Sequence, residues 1–418
     1  MNALRIVGGR RLEGEWRIHS AKNAVLPIMA ASILTKEKTL LTHCPSLSDI
    51  HYMGDILEKL GCCVQFENGL MEIDPSGLCD YEMPDGLSKK IRSSIFLMGP
   101  ILARFGRAKV TYPGGCEIGL RPIDLHLSGL RQLGVKVREE GGMICCDGSE
   151  MRSGQVHFDY PSVGATENVM MAAVMLQGTT VMRNVAREPE IVDLQRFLNQ
   201  MGARISGAGT DTIVIEGVNE LHGVSYQPMA DRIVAGTLLA AAAATGGTVR
   251  LWNVPCADMS AVFAKLREMG CDITEGGDAA FLQSPARLHA FETLQTQPHP
   301  GFPTDMQVQM LALAAVAQGT SVVVENVFEN RFTHAGDLNR MGANVRVSGR
   351  TAVVKGVEKL FGTRVSARDL RGGAALAIAA LRAQGETLIE HAELIDRGYD
   401  HLEEMLTALG ADIRRVVL

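Results

Sequence analysis

Across 418 residues, 41 basic and 47 acidic side chains leave a net charge of −6, with 46% hydrophobic and 21% charged residues, the balance of a globular protein with room for two or three domains and a large core. That charge offers a polyanion no general attraction and no local basic stripe replaces it, so a nucleic-acid partner is not expected. No apolar run reaches the ~20 residues of a bilayer span, and MNALRIVGGRR lacks a signal peptide's apolar segment, so no membrane is expected and the cytoplasm is the expected compartment.

In chain order, LRIVGG (residues 4–9) reads as a strand with no helix before it. Six units follow, each opening with a small-residue helix apolar around most of its circumference, at residues 21–34, 89–105, 165–176, 230–245, 304–317 and 367–383, the pattern of a buried helix. A strand comes next, often running from Gly-Thr to Asn-Val as in 178–185, 247–254 and 319–327. A second, amphipathic helix then ends in Leu-Gly or Met-Gly at Gly61, Gly134, Gly202, Gly270, Gly342 and Gly410, with successive gaps of 73, 68, 68, 72 and 68 residues. Each glycine suits a left-handed helix cap, and the even period marks one supersecondary unit used six times. After each glycine, two β-branched runs around turn residues read as a hairpin, for example 64–73 and 344–354. The sixth copy has one strand, DIRRVVL at 412–418, and no return; pairing it with the N-terminal strand would remove an exposed edge. The expected division is residues 22–229 as one domain of three repeats and 1–21 plus 230–418 as a discontinuous second.

Charge collects where the buried helices begin: Lys22-Asn23, Arg92, Glu167-Asn168, Asp231-Arg232, Asp305, and Asp369 with Arg371. Any one of these reads equally well as a solvated helix end. As a set they are better explained by a bound anion, because Lys and Arg in a first turn oppose a dipole that favours negative charge there by ~0.3–1 kcal/mol. A phosphorylated ligand taken up by two closing domains is the expectation. Nine cysteines without a CxxC pair signal neither disulfides nor zinc, and most are expected to be buried thiols. Cys116 differs: it lies in PGGCEIGLRP (113–122), a three-glycine loop bounded by prolines, with Arg121 five residues on to favour a thiolate.

Eight segments, SAKNAVLP (20–27), PSLSDI (45–50), PGGCEIGLRPIDLHL (113–127), PSVGATEN (161–168), AREPEIVDL (186–194), HPGFPTDMQ (299–307), ENVFENRF (325–332) and IDRGYDHL (395–402), together resemble the UDP-N-acetylglucosamine 1-carboxyvinyltransferases, and the resemblance covers essentially the whole chain. It implies an α/β fold, a two-domain inside-out barrel of six βαβαββ-type repeats, three per domain, with buried helices surrounded by sheets. It implies transfer of the enolpyruvyl group of phosphoenolpyruvate to the 3'-hydroxyl of UDP-N-acetylglucosamine through a tetrahedral ketal, releasing phosphate, as the first committed step of peptidoglycan precursor synthesis. No metal or organic cofactor is implied.

By the same resemblance, Lys22, Arg121 and Arg397 hold the phosphate and carboxylate of phosphoenolpyruvate, with Asn23 beside them; three cations, two of them forked arginines, match a trianion. Cys116 is the proton donor to the enol methylene carbon and the residue that fosfomycin alkylates. Asp305 accepts the 3'-hydroxyl proton. The nucleotide sugar lies against Arg92, Arg121, Pro122, Ile123, Asp124, Leu125, Ser162, Val163, Gly164, Asp305 and Val327. Asp369 and Arg371, with Asp231, Arg232, Arg331, Asp49 and Glu188, are supports. Tyr160 departs from the pattern, since some relatives carry Lys before the Ser-Val-Gly motif. The nearest rival, 5-enolpyruvylshikimate-3-phosphate synthase, needs no cysteine in such a loop. A six-repeat ring around DNA would need basic inner helices, and a silent UDP-sugar-binding paralogue would not need Lys22, Cys116, Asp305 and Arg397 together.

Overall fold

The computed structural model describes residues 2–112, 114 and 123–418. The chain folds as two compact units and passes between them at residues 19–20 and 229–230. Each unit has its own hydrophobic core, one built from residues of 25–226 and the other from 4–18 together with 230–413.

Inner helices α1 (Lys22–Ala31), α2 (Met98–Phe105) and α3 (Val163–Ala173) belong to the first core, and α4 (Arg232–Thr245), α5 (Thr304–Val316) and α6 (Leu370–Arg382) to the second. All fourteen residues of α4 are buried, so its alanines and leucines pack on every side, which suits a helix that water never reaches. Small residues let the helices approach closely: a Cβ on Gly236 of α4 would stand 2.8 Å from Met306 Sδ of α5. The predicted helix at 89–105 is two segments, a 3-10 turn at Arg92–Leu97 and then α2. Pro100 lies in the first turn of α2, where its missing N–H has no intrahelical partner to lose.

Among the described residues six sheets pack on these helices, three in each unit; five have four strands and one has three. Their common plan is visible in Thr293–Gln295, Thr320–Val324, Thr351–Lys355 and Asn344–Ser348: the strand after an inner helix pairs parallel with the strand before it and antiparallel with the returning arm of the hairpin. All six Leu-Gly or Met-Gly glycines have positive φ, from 94° to 106°, conformations that glycine adopts without cost.

Asn2–Val7 completes the sixth copy. It lies between Glu386–Glu390 and Asp412–Val417, antiparallel to both, the place a returning hairpin arm holds elsewhere. The glycines that follow these arms confirm the equivalence: Gly217, Gly356 and Gly8 donate backbone N–H bonds to the carbonyls of Gly178, Gly319 and Gly385. One exchange sets where the units divide. Glu13–Arg17, which precedes α1 in sequence, pairs parallel with Thr248–Trp252 after α4, whereas Ser225–Tyr226, which precedes α4, pairs parallel with Thr39–Leu41 after α1.

Eight cysteines fall among the described residues and all are free thiols. Only Cys44, Cys62, Cys146 and Cys271 are buried; Cys63 and Cys79 are exposed. The expectation that most are buried is corrected: Cys145 and Cys146 take alternate faces of strand Met143–Asp147, and Cys63, Cys79 and Cys256 are exposed or partly so. No helix among the described residues is long and apolar enough to cross a membrane.

Candidate active site

Cys116, Arg121 and Pro122 lie outside the described residues. The other candidates fall into two groups, one in each unit.

In the unit of residues 20–229, Lys22 opens α1 and its Nζ is 3.3 Å from Asp49 Oδ2, in the first turn of helix Ser48–Lys59; both side chains are largely buried. A lysine at a helix start opposes the local dipole, and the carboxylate beside it offsets that cost. Asn23 is exposed, Arg92 is half-buried at the start of Arg92–Leu97, and Ser162 caps α3 by accepting from the Ala165 N–H at 3.4 Å. Val163 and Gly164 follow in the first turn of α3. Gly164 is glycine for a local reason: a Cβ would stand 2.9 Å from His126 Cε1. Ile123 is buried, Leu125 and Glu188 are half-buried, and Asp124 is exposed.

Glu167 and Asn168 do not join an anion site. Asn168 ties helices together, donating to the Ile95 carbonyl at 2.9 Å and accepting from the Gly99 N–H at 2.8 Å. Glu167 is wholly buried, with neither carboxylate oxygen hydrogen-bonded. Burial pushes its carboxyl well above the ordinary glutamate value, and Glu190 and Glu188 push it further, so it is a neutral acid. The charge pattern suggested a ligand here because sequence does not show that this turn of α3 faces inward.

In the other unit the candidates converge. Asp305, in the first turn of α5, is held on both oxygens: Arg331 Nη2 donates to Oδ1 at 2.8 Å and Arg371 Nη2 to Oδ2 at 3.2 Å. Both guanidiniums are almost fully buried, and Asp305 keeps 28% of its side-chain surface exposed. Asp369 supports the pair from behind. Its Oδ1 caps α6 by accepting the Arg371 and Gly372 N–H groups at 3.0 Å each, and lies 3.8 Å from Arg331 Nη1. Burial works against the charge of Arg371, but Tyr399, Asp305 and Asp231 outweigh it and hold the guanidinium above its ordinary range. Asp231 also caps α4, through the Ile233 and Val234 N–H groups, and Arg232 beside it is buried. Solvated helix ends therefore do not account for Lys22, Asp231, Arg232, Asp369 or Arg371, all of which are buried.

Two residues here escaped the sequence reading. Glu325, 1% exposed, accepts from Thr296 Oγ1 (2.8 Å), Thr304 Oγ1 (2.9 Å) and the N–H groups of Val327 (2.8 Å) and Phe328 (3.1 Å). It fixes the Val327 loop to the residue that precedes Asp305. Its signal was the opening Glu of ENVFENRF. His334 is also buried. Burial drives its pKa down to about 4, Arg331 adding to the fall and Asp369 opposing it, so the ring is neutral. Arg397 is half-buried at the end of the 3-10 helix Ala392–Arg397, and the next residue packs against Arg371: a Cβ on Gly398 would be 3.4 Å from Arg371 Nη1.

Chemically, this group presents a carboxylate in a fixed orientation, partly open to solvent, between buried cations. The arginines meet it one on each oxygen, and a carboxylate oxygen has more than one lone-pair site at which to accept. Within the unit of residues 20–229 there is a buried ammonium, Lys22, and a capped helix start of the kind that can face an anion.

Residues 6–406 match the EPSP synthase (3-phosphoshikimate 1-carboxyvinyltransferase) family. Relatives include a UDP-N-acetylglucosamine 1-carboxyvinyltransferase 2 of Caldanaerobacter subterraneus subsp. tengcongensis, 50% identical over 417 residues with all of both chains covered. A UDP-N-acetylglucosamine 1-carboxyvinyltransferase 1 of Symbiobacterium thermophilum is 52% identical, covering 98% of this chain and 94% of its own. Among solved structures, the enolpyruvyl transferase NikO of Streptomyces tendae superposes with a TM-score of 0.90 at 25% identity, covering 100% of this chain and 99% of its own. EPSP synthase of Acinetobacter baumannii superposes over both full lengths with a TM-score of 0.78 at 17% identity, a likeness of fold.

Proposed function

The chain belongs to the EPSP synthase family of carboxyvinyltransferases, and from that premise we propose the roles of its residues in moving the enolpyruvyl group of phosphoenolpyruvate to the 3'-hydroxyl of UDP-N-acetylglucosamine. The observation that carries the choice of acceptor is identity of about half, end to end, with enzymes named for that nucleotide sugar. With the solved EPSP synthase of Acinetobacter baumannii the identity falls to 17%.

In the first step the 3'-oxygen bonds to C-2 of phosphoenolpyruvate, its proton goes to Asp305, and C-3 gains a proton from Cys116, giving a tetrahedral ketal. In the second, C-3 returns its proton to the Cys116 sulfur as the C–O bond to phosphate breaks, and the departing phosphate takes the proton held by Asp305, leaving the enolpyruvyl ether. Asp305 suits the base because its position is set by Arg331 and Arg371 on separate oxygens; a general base works only within ~2.6–3.2 Å of the proton's oxygen. Lys22, Arg121 and Arg397 take the phosphate and carboxylate charges, and Asn23 hydrogen-bonds beside them. Arg92, Ser162, Val163, Gly164 and Val327, with the 121–125 segment, receive the nucleotide sugar. Asp49 holds Lys22, Glu188 and Arg232 fill supporting places at their helix starts, and Asp231, Asp369 and Arg371 keep the carboxylate's surroundings ordered. Fosfomycin alkylates Cys116, and the product feeds peptidoglycan precursor synthesis in the cytoplasm, with consequences for cell shape and division.

Purified protein given both substrates should release phosphate, and should release none when shikimate-3-phosphate replaces the nucleotide sugar. Equal release from either acceptor, or none from both, overturns the assignment.

A further inference from the structure

Arg397 sits on a segment that regular structure does not hold. It ends the 3-10 helix Ala392–Arg397, and helix Leu402–Ala408 begins only after four intervening residues. The residues on either side of this gap are held by one side chain from a distant strand. Arg415, on Asp412–Val417, donates to Asp396 from Nη1 at 2.9 Å and Nη2 at 2.6 Å, and to Glu403 from Nε at 2.7 Å and Nη2 at 3.0 Å. Asp396 immediately precedes Arg397, and Glu403 lies in the first turn of the following helix.

We propose that Arg415 is a positioning residue for Arg397, fixing the direction from which that cation meets the anion of phosphoenolpyruvate; this rests on the reading of Arg397 given above. Two forked contacts through one planar guanidinium define the relative placement of both carboxylates, which a lysine's point charge cannot do. Arg415 and Asp396 keep 25% and 33% of their side-chain surface exposed. Solvent screening therefore limits what the pair adds to stability, and geometry is the larger part of its effect. His401 also faces the cluster, its Nδ1 3.7 Å from Glu403 Oε1 and its Nε2 3.9 Å from Asp400 Oδ1. The strand carrying Arg415 is itself registered by Asn2–Val7, with Leu4 opposite Arg415, so the clamp stands on a fixed ladder.

The test uses the full chain with Arg415→Met, Arg415→Lys, Asp396→Asn and Arg397→Ala, measuring kcat and both KM values alongside the melting temperature. Arg415→Met and Asp396→Asn should raise KM for phosphoenolpyruvate about tenfold and KM for the nucleotide sugar less than about twofold, since small misplacements of a positioned group cost one to two orders of magnitude. Arg415→Lys should fall between them and wild type. Adding Arg415→Met to Arg397→Ala should raise KM no further. If Arg397→Ala leaves KM for phosphoenolpyruvate unchanged, the reading of Arg397 is at fault. If Arg397→Ala raises it while Arg415→Met does not, or if the Arg415 and Asp396 variants raise both KM values equally as the melting temperature falls, the positioning role is overturned. Should Arg415→Met fail to fold, Arg415→Lys and Asp396→Asn decide by the same split.

Discussion

Glu167→Gln should change the pH dependence of stability by one proton. Glu167 lies on α3 with no exposed surface and no hydrogen bond to either oxygen, and burial with Glu190 and Glu188 nearby holds its carboxyl neutral well above 4.5. A folded-state pKa raised above the unfolded value means that the folded chain keeps a proton the unfolded chain releases. Its contribution is complete below 4.5 and is lost as pH rises toward the folded pKa, at about 1.4 kcal/mol per pH unit. Glutamine cannot titrate, so as pH rises above 4.5 the wild type should lose stability relative to the variant, with a slope that approaches about 1.4 kcal/mol per pH unit until the folded carboxyl itself ionises. At pH 4.5 the order is reversed or level, because the new amide N–H groups also lack partners at about 1–3 kcal/mol. Urea unfolding at pH 4.5, 5.5 and 6.5, followed on the transition of the unit that contains α3, gives the two curves. Parallel curves would mean that Glu167 is ionised or solvated in the folded chain, and the argument would fail.

His334 works in the opposite sense. Neutral in the fold with its pKa near 4 against 6.5 unfolded, it should leave stability intact above 6.5 and lower it as pH falls toward 4, by up to ~3 kcal/mol; His334→Leu should flatten that limb in acid unfolding of the second unit. Asp305→Asn should lower kcat by about 10²–10⁴, the range for losing a general base, with KM little changed; a kcat within a few-fold of wild type would exclude it as the base. Cys116→Asp should keep turnover, because aspartic acid can also donate a proton, yet abolish fosfomycin inactivation, read as activity after preincubation. Gly356→Ala should cost at least ~4 kcal/mol, since its Cβ would lie 1.7 Å from the Ala317 carbonyl oxygen, whereas Gly336→Ala, on a helix with nothing within 4 Å, should stabilise by ~0.5–1 kcal/mol; equal melting temperatures for the two would contradict the packing.

The repeat was legible because its marker is a backbone requirement. Only glycine tolerates φ near 94–106° at the end of each outer helix, so the period is written in one letter. The pairing of Asn2–Val7 with Asp412–Val417 followed from a missing hairpin arm. Other devices of the same period were not read. Asn184, Asn253 and Asn326 each donate to the carbonyl just past the neighbouring parallel strand, at Phe158, Ile18 and Thr296, and Asn199 and Asn339 bind both backbone groups of Ile205 and Val345. An asparagine in a loop looks the same in sequence whether its partner is 26 or 235 residues away. At the site, Asp305, Arg331, Asp369 and Arg371 were all named in advance, but their mutual geometry was not, because ion pairs between residues 26 to 66 positions apart depend on how the inner helices stack. Glu167 was misjudged for the same reason: a charged letter at a helix start does not show which way it points.

The placement of Asn2–Val7 sets an order of events on the ribosome. Its two neighbours, Glu386–Glu390 and Asp412–Val417, are translated long after it, so this segment must wait for them before its ladder can form. The unit from Ser20 to Met229 needs nothing downstream of itself for its sheets and can be complete before Asp412–Val417 is made, an interval of roughly 10–40 s at ~5–20 residues per second. Through that interval a nascent chain carries an early-made β-segment with no mate, which is where a chaperone that shields unpaired backbone would act.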